Sequence, residues 1–283
     1  AGNYTTSYAR AFEESSGVPV RLFRWSSENN HIGRADGAVR FLDEIASLDL
    51  PAGSRVLCCT HSHGGNVLAL VTNLLGGDAG SRARFFSAAR SFFRWPATGE
   101  RDVGVWSRVR RRLRRVEHPW ADLRLDVVTF GTPVRYGWET AGYGLLLHIV
   151  NHERLPGLQE HQAPFPPDSA RMREGSGGDH VQQMGIAGTN LPPSVFTPSA
   201  WLADRRLNRL LQPGLDARDL FERLRLGVRV PEEGRVLLVD YGESEGGLGE
   251  HLAGHGIYTM KKWLLFHAEQ AVRAFYSGGD SST

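Results

Sequence analysis

The chain has 283 residues, of which 41% are hydrophobic and 23% charged, and this composition is sufficient for a large globular core. The formal net charge of +2 gives no overall signal for nucleic-acid binding, and no apolar run approaches the length that crosses a bilayer. No signal peptide is recognisable after Ala1, so we expect a cytoplasmic protein unless a targeting segment precedes the chain.

Helix and strand patterns alternate in the N-terminal part of the chain. The spacing of apolar residues predicts, in order, a helix, a strand, a helix, a buried strand and a helix: 1–16, 20–25, 35–46, 56–59 and 67–75. An unbroken apolar run such as 56–59 is typical of a parallel strand that is buried on both faces. Cys58 and Cys59, which are adjacent in this run, are expected to be core residues and not disulfide partners.

The rest of the chain alternates strands and helices with longer interruptions. The predicted strands are 125–133, 145–151 and 236–239, and the predicted helices are 197–211, 216–226 and 260–275. Two insertions interrupt this pattern, an arginine- and aromatic-rich one at about 80–122 and one at about 156–230 that combines irregular chain with helices. We therefore predict a single α/β domain over 1–283 with these two insertions.

The turn between the buried strand and the following helix is Thr60-His61-Ser62-His63-Gly64. A serine on such a turn projects from the sheet, small neighbours let the backbones approach, and the helix N-terminus favours a developing negative charge. The segment resembles the nucleophile elbow of the α/β-hydrolases, G-x-S-x-G, with Thr60 in place of the first glycine. This resemblance implies that Ser62 is a catalytic nucleophile, whereas a structural serine in an ordinary βα turn is the alternative.

Two further stretches resemble class 3 lipase-like members of the same superfamily. The sequence TFGTP at 129–133 resembles their TFGxP stretch, and GHGIYT at 254–259 resembles their D-H-x-x-Y stretch. The resemblance implies an α/β-hydrolase fold, a mostly parallel sheet flanked by helices, with helical and irregular insertions. One strand of that fold, which ends in a His-Gly loop, has no counterpart before residue 20. Either Gly2-Asn3 is a remnant of that loop or the strand lies upstream of the chain.

The resemblance also implies the activity of a serine esterase or lipase that hydrolyses carboxylic esters, including lipid esters, without a cofactor. In this fold the catalytic residues follow the chain order serine, acid, histidine. His255 is the predicted base, with His251 as the alternative. Asp179 lies in GGDHVQQMG, which resembles a D-x-V stretch of related bacterial hydrolases, and it is the predicted acid, with Glu153 and Asp240 as alternatives. A carboxylate at this place orients the imidazole and stabilises its charged form.

An oxyanion hole requires two backbone N–H groups. One is expected from His63, the residue after the nucleophile, and the other from Asn3 if Gly2-Asn3 is the remnant loop. His61 and His63 also have the H-x-H spacing of metal ligands. However, Gly64 and Gly65 follow, and the sequence continues without the further ligands of a metallo-hydrolase, so we predict no metal.

The first insertion is strongly basic, with eleven arginines between Arg82 and Arg115 against Glu100 and Asp102. Its densest part is 108–115, which begins at Arg108. Six aromatic residues are interleaved: Phe85, Phe86, Phe92, Phe93, Trp95 and Trp106. Such a segment indicates either contact with an anionic membrane surface or a solvated helix pair whose aromatic residues cover the core. The competing function is a catalytically silent scaffold that binds membrane or nucleic acid through these arginines, although the net charge makes nucleic acid the less expected partner.

Overall fold

Four strands form one parallel sheet in the order β1-β2-β3-β4, with β1 at Arg55–His61, β2 at Arg124–Phe130, β3 at Leu145–Asn151 and β4 at Arg235–Val239. The computed structural model describes residues 4–94, 103–115, 118–187, 190–211, 225, 227, 229, 231 and 233–276. The register pairs His61 with Phe130, Phe130 with Ile149, and Asn151 with Val239, so the strands end close together at one edge of the sheet.

The helices are placed before, between and after these strands. In chain order they are α1 Thr6–Ser16, α2 His31–Ala46, α3 Gly64–Gly76, α4 Ala79–Ala88, α5 Arg90–Arg94, α6 Val103–Arg112, α7 Ser169–Glu174, α8 His180–Ala187, α9 Pro198–Leu211, α10 Leu248–His251 and α11 Leu264–Phe275. Short 3-10 turns lie at Thr140–Gly142, Ile257–Thr259 and Lys261–Trp263. Among the described residues, no helix has both the length and the hydropathy that crossing a bilayer requires.

Apolar side chains cover both faces of the sheet, as its parallel strands require. In β2, Val127 belongs to the core on the side of α2 and α3, whereas the adjacent Val128 belongs to the core that contains Ile257 and Phe275. Successive residues of a strand point to opposite faces, so this division follows from the strand itself. The predicted α/β class, a parallel sheet flanked by helices, is confirmed.

One predicted strand does not form. Residues 20–25 have no regular secondary structure and no strand partner among the described residues, and a cleft of about 940 Å³ lies between them and β1. Within the described residues β1 is therefore an edge strand. This position also corrects the prediction for Cys59, which is exposed, whereas Cys58 is buried as expected. The period-2 pattern of 20–25 was a valid local signal, but a strand also requires a neighbour for its backbone hydrogen bonds.

The aromatic residues of the first insertion are core residues. Four phenylalanines pack around Trp106: Phe85, Phe86, Phe92 and Phe93. Their ring centroids lie between 5.1 Å (Phe93) and 5.9 Å (Phe85 and Phe86) from the ring centroid of Trp106. The structure thus supports the helix-pair interpretation for these five side chains, and Trp95 lies outside the described residues. Most of the predicted helix 216–226 lies outside them as well, and the insertion at about 156–230 contains α7, α8 and α9.

Candidate active site

Ser62 lies on the tight turn between β1 and α3, with φ at 55°, a left-handed value that side-chain-bearing residues rarely adopt. Its N–H donates to the Phe130 carbonyl at 3.0 Å, and the Thr132 hydroxyl donates to the Ser62 carbonyl at 2.8 Å. The N–H and the carbonyl of Ser62 are thereby fixed to the end of β2 and to the chain directly after it. The strain at Ser62 is held by the surrounding structure, as is expected of a functional turn.

Close packing explains the residues that flank the serine. A Cβ atom on Gly64 would lie 2.2 Å from Thr60 Oγ1, and one on Gly65 would lie 2.2 Å from Thr132 Oγ1. Thr60, which departs from the G-x-S-x-G pattern, therefore fits because Gly64 has no side chain. The turn thus keeps one of its two small residues, Gly64, on the helix side of Ser62.

Asp179 and His255 form a buried pair. His255 Nδ1–H donates to Asp179 Oδ2 at 2.7 Å, and the side chains are 0% and 5% exposed for the aspartate and the histidine respectively. The other oxygen of Asp179 accepts the Gln182 N–H at 2.7 Å, in the first turn of α8. The Tyr258 hydroxyl also hydrogen-bonds to Asp179 and accepts the Asn151 N–H at 2.7 Å.

These contacts keep Asp179 ionised despite its burial. Burial raises the pKa of Asp179, but the charge and hydrogen bond of His255, together with the Gln182 N–H, lower it further than burial raises it. The resulting pKa lies below the ordinary value of 3.8. The carboxylate is therefore charged at neutral pH and directs the His255 proton to Nδ1, which leaves Nε2 as the basic nitrogen.

Two glycines bring the acid and base loops together. Gly178 and Gly254, with φ at 102° and 82°, directly precede Asp179 and His255, and a Cβ on Gly254 would lie 2.2 Å from the Gly178 carbonyl oxygen. The Asp179 N–H donates to the Asn151 carbonyl at 2.9 Å, at the end of β3. The pair thus lies at the same edge of the sheet as Ser62, where the strands of a parallel sheet place their binding sites.

His61 links this pair to the serine turn. Its Nε2–H donates to the His255 carbonyl at 2.9 Å, and the two ring centroids are 4.5 Å apart. No hydrogen bond joins Ser62 directly to His255, two residues that the structure describes. Such a bond is often long or poorly aligned in a serine hydrolase without substrate, so its absence does not exclude Ser62 and His255 as partners.

Gly131 explains why a glycine follows Phe130 in TFGTP. Its φ is 55°, and a Cβ there would lie 2.3 Å from Tyr258 Cε2 and 2.5 Å from Asp179 Oδ2. A side chain at this position would therefore displace the acid. The stretch that resembles the lipase motif has a direct physical role in placing Asp179 beside His255.

Of the two predicted oxyanion donors, His63 lies within the described residues and Asn3 does not. His63 precedes the first residue of α3, where backbone N–H groups have no partner within the helix. Its imidazole is neutral, because burial and then the charges of Arg34 and Arg135 lower its pKa to about 2. Asn3 lies outside the described residues, and the next residue, Tyr4, has its ring centroid 6.4 Å from that of His61.

The alternative acids and base lie elsewhere. Glu153 forms an ion pair with Arg171 at 2.7 Å, and Asp240 is exposed and accepts the Gly242 N–H. His251 is fully buried, and neither of its ring nitrogens has a hydrogen-bond partner among the described residues. The structure therefore pairs His255 with Asp179 by a side-chain hydrogen bond. The side chains of Glu153, Asp240 and His251 form no such bond with either residue.

Sequence reasoning considered His61 solely as a metal ligand and did not identify Gln182 as a partner of the acid. The position of Gln182, three residues after Asp179, is the N-cap spacing and was a usable signal. The part of the chain that the structure describes contains no group of three or more His, Cys, Asp or Glu side chains placed to hold a metal ion.

Comparison with known proteins gives no relative for this chain: no protein-family model, no curated protein and no solved structure matches it. The chemistry of the site must therefore be argued from its own geometry. That geometry consists of a strained serine at a helix N-terminus and a buried, hydrogen-bonded His–Asp pair on neighbouring loops.

Proposed function

We propose that this chain is a serine esterase of the lipase-like α/β-hydrolase type that hydrolyses carboxylic esters. The observation that carries the proposal is Ser62, at φ 55° between a parallel strand and a helix, beside the buried pair of His255 and Asp179. The chain order serine, acid, histidine is that of α/β-hydrolases. A serine hydroxyl needs a base to become nucleophilic, and an oriented imidazole is that base.

In the first half of the reaction, Ser62 Oγ attacks the ester carbonyl and His255 Nε2 takes the hydroxyl proton. Negative charge develops on the carbonyl oxygen, where the His63 N–H at the start of α3 donates a hydrogen bond. The ionised Asp179 stabilises the imidazolium that has formed. His255 then returns the proton to the leaving alcohol, and an acyl-serine remains.

In the second half, water replaces the alcohol. His255 Nε2 removes a proton from the water molecule, whose oxygen attacks the acyl carbonyl, and the same oxyanion donor stabilises the intermediate. Collapse of the intermediate breaks the bond to Ser62 Oγ, and His255 gives its proton to that oxygen. The carboxylic acid leaves, and the enzyme returns to its starting state.

The test is covalent labelling by a fluorophosphonate probe together with hydrolysis of short p-nitrophenyl esters. Ser62→Ala is expected to abolish labelling and to lower the hydrolysis rate by about 10⁴-fold or more, as in other triads. Ser87→Ala, which removes an exposed serine of α4, is the control and should leave both unchanged. Hydrolysis by the Ser62→Ala protein at the wild-type rate would exclude the serine mechanism.

The same experiment separates the esterase from the competing function, a hydrolase-like scaffold without activity. Such a scaffold has the strand, turn and helix but no activated serine, so the probe would not label it. Absence of labelling in a folded wild-type protein would favour the scaffold. The strain at Ser62 and the satisfied Asp179 favour the enzyme, because a scaffold needs neither.

A further inference from the structure

Five apolar side chains between residues 191 and 202 are exposed to solvent, although apolar side chains of this size normally pack inside a protein. The most exposed are Val195 at 80% and Phe196 at 88%, and the others are Leu191, Trp201 and Leu202. They lie on the loop before α9 and on the first two turns of that helix. Because they belong to one short stretch of chain, we treat them together as one apolar patch, a feature that marks interaction sites.

The exposed face of α9 continues this patch with positive charge. One face of α9 is buried through Ala200, Ala203 and Leu207, which recur at helical spacing. The opposite face of α9 is therefore exposed to solvent. That outward face carries three exposed arginines: Arg205, Arg206 and Arg209. Arg205 lies over the Trp201 ring, 4.7 Å from its centroid.

Among the residues that the structure describes, no carboxylate forms an ion pair with the arginines of α9. Its one carboxylate, Asp204, is buried and accepts the Ile32 N–H at 3.0 Å. We call the apolar patch and these arginines together the 191–209 surface. Its exposed part combines apolar and cationic side chains without a carboxylate from α9.

Hydrogen bonds connect the start of this surface to the N-terminal part of α2. The Leu191 N–H donates to the Asn29 carbonyl at 2.8 Å, just before α2, and Arg34 of α2 donates to Asn190 Oδ1 at 3.2 Å. The charge of Arg34 also contributes to the lowered pKa of His63, so Arg34 lies within electrostatic reach of the serine turn. These two hydrogen bonds hold the start of the 191–209 surface against the N-terminal part of α2.

We propose that the 191–209 surface docks on an anionic lipid membrane. Exposed apolar side chains enter the boundary between headgroups and acyl chains, while arginines beside them contact the phosphate and other anionic headgroup oxygens. Neither part alone identifies the partner. An apolar patch alone fits many proteins and a basic face alone fits any polyanion, whereas their combination fits a negatively charged lipid surface.

Arginines of the first insertion add to the attraction. Four of them lie close together: Arg90 and Arg94 on α5, Arg110 on α6 and Arg114 just after α6. None of the four forms an ion pair with a carboxylate of the described residues. The α5 helix packs on α9, where the Ser91 hydroxyl donates to the Ser199 carbonyl at 3.0 Å. In contrast, Arg108 and Arg112 pair with Asp43, so the segment 108–115 is partly neutralised.

Sedimentation with vesicles tests the proposal directly. The wild-type protein is expected to sediment with vesicles that contain phosphatidylserine, to bind phosphatidylcholine vesicles weakly, and to lose binding at high salt, which screens charges. Ser62→Ala should bind like the wild type, because docking does not depend on catalysis. A failure of docking and a failure of the proposed esterase activity are thereby distinguished.

Paired variants test the two parts of the surface. Val195→Ser with Phe196→Ser should weaken binding at least about tenfold, and Arg205→Gln with Arg206→Gln should weaken it on the order of tenfold. Matched controls are Leu265→Ser with Val272→Ser on α11, and Arg10→Gln on α1, which change exposed residues elsewhere. The controls should bind like the wild type.

Several results would overturn the proposal. They are absence of vesicle binding, equal binding to neutral and anionic vesicles, or equal effects of the surface and control variants. A wild-type dimer in solution that the Val195→Ser, Phe196→Ser protein converts to monomers, without vesicle binding, would assign the surface to a second copy of the chain instead.

Discussion

His61 and Asp179 illustrate how single residues organise the candidate site. His61 occupies a position that the G-x-S-x-G pattern leaves open, and it holds the main chain of His255 by a hydrogen bond of 2.9 Å. Asp179 satisfies both of its oxygens, one with His255 and one with the Gln182 N–H. A buried carboxylate with these partners is ionised and rigid, which suits an orienting role.

The acid assignment gives a prediction at this scale. Asp179→Asn should lower kcat by roughly 10⁴-fold, because the amide cannot stabilise the imidazolium and favours the wrong tautomer. Glu153→Gln removes a comparable carboxylate that is paired with Arg171, and it should change kcat little. The measurement is steady-state hydrolysis of a p-nitrophenyl ester by both purified proteins.

The opposite ranking of the two variants would move the acid to Glu153. Equal small effects would remove both residues from the mechanism. Thermal melts of the two proteins should accompany the kinetics, since the loss of a buried charge partner also destabilises the fold.

At the scale of an element, the β1–α3 unit depends on a reciprocal fit between Thr60 and Gly64. A hydrolase-like turn normally has glycine at the first of these positions. Here the Thr60 hydroxyl occupies the space that a side chain on residue 64 would need. The Thr60 Cβ itself would lie 3.6 Å from a Cβ on Gly64, an ordinary contact. The Thr60 hydroxyl is therefore the group that would clash with a side chain at position 64.

Gly64→Ala is accordingly expected to destabilise the protein by about 1–3 kcal/mol through overpacking. Thr60→Ala in the same chain should recover most of this loss, because it removes the conflicting Oγ1. Urea unfolding of the wild type, both single variants and the double variant gives the coupling energy. Strictly additive effects would mean that the two residues do not contact each other.

At the scale of the whole molecule, buried neutral histidines make the fold sensitive to acid. Burial is the main cause that lowers the pKa of four of them, to about 3 for His31, about 2 for His63, about 4 for His148 and about 4 for His267. In the unfolded chain these groups bind protons below about pH 6.5, whereas in the folded protein they do not. The unfolded state therefore gains protons first as pH falls.

Stability should consequently be greatest above about pH 6.5 and decrease as pH falls toward 4, by up to about 1.4 kcal/mol per pH unit for each such histidine. Urea unfolding between pH 8 and pH 5 measures this slope. His148→Asn, at a fully buried site where Thr129 is the partner at 2.6 Å, should reduce the slope by about one proton. His161→Gln, an exposed site, is the control, and an unchanged slope in His148→Asn would refute the assignment.

Local patterns in the chain were sufficient for much of the architecture. The strand 145–151 was predicted with the bounds that the structure has, and the helix after Ser62 ends at Gly76 as expected, because hydrophobic periodicity and glycine stops act over a few residues. His255 and Asp179, chosen from chain order and a resemblance, are found hydrogen-bonded to each other. Their catalytic roles remain predictions.

Other features depend on contacts between distant parts of the chain, which no local pattern encodes. The apolar alternation of 20–25 did not reveal that this segment pairs with no strand in the described part of the chain. The run 56–59 did not reveal that Cys59 is exposed. The aromatic residues around Trp106 had two interpretations until packing buried them. The sequence left Asp179 and Glu153 as alternative acids. The structure pairs Asp179 with His255 at 2.7 Å and Glu153 with Arg171, because burial and pairing are set by three-dimensional packing and not by neighbours in the chain.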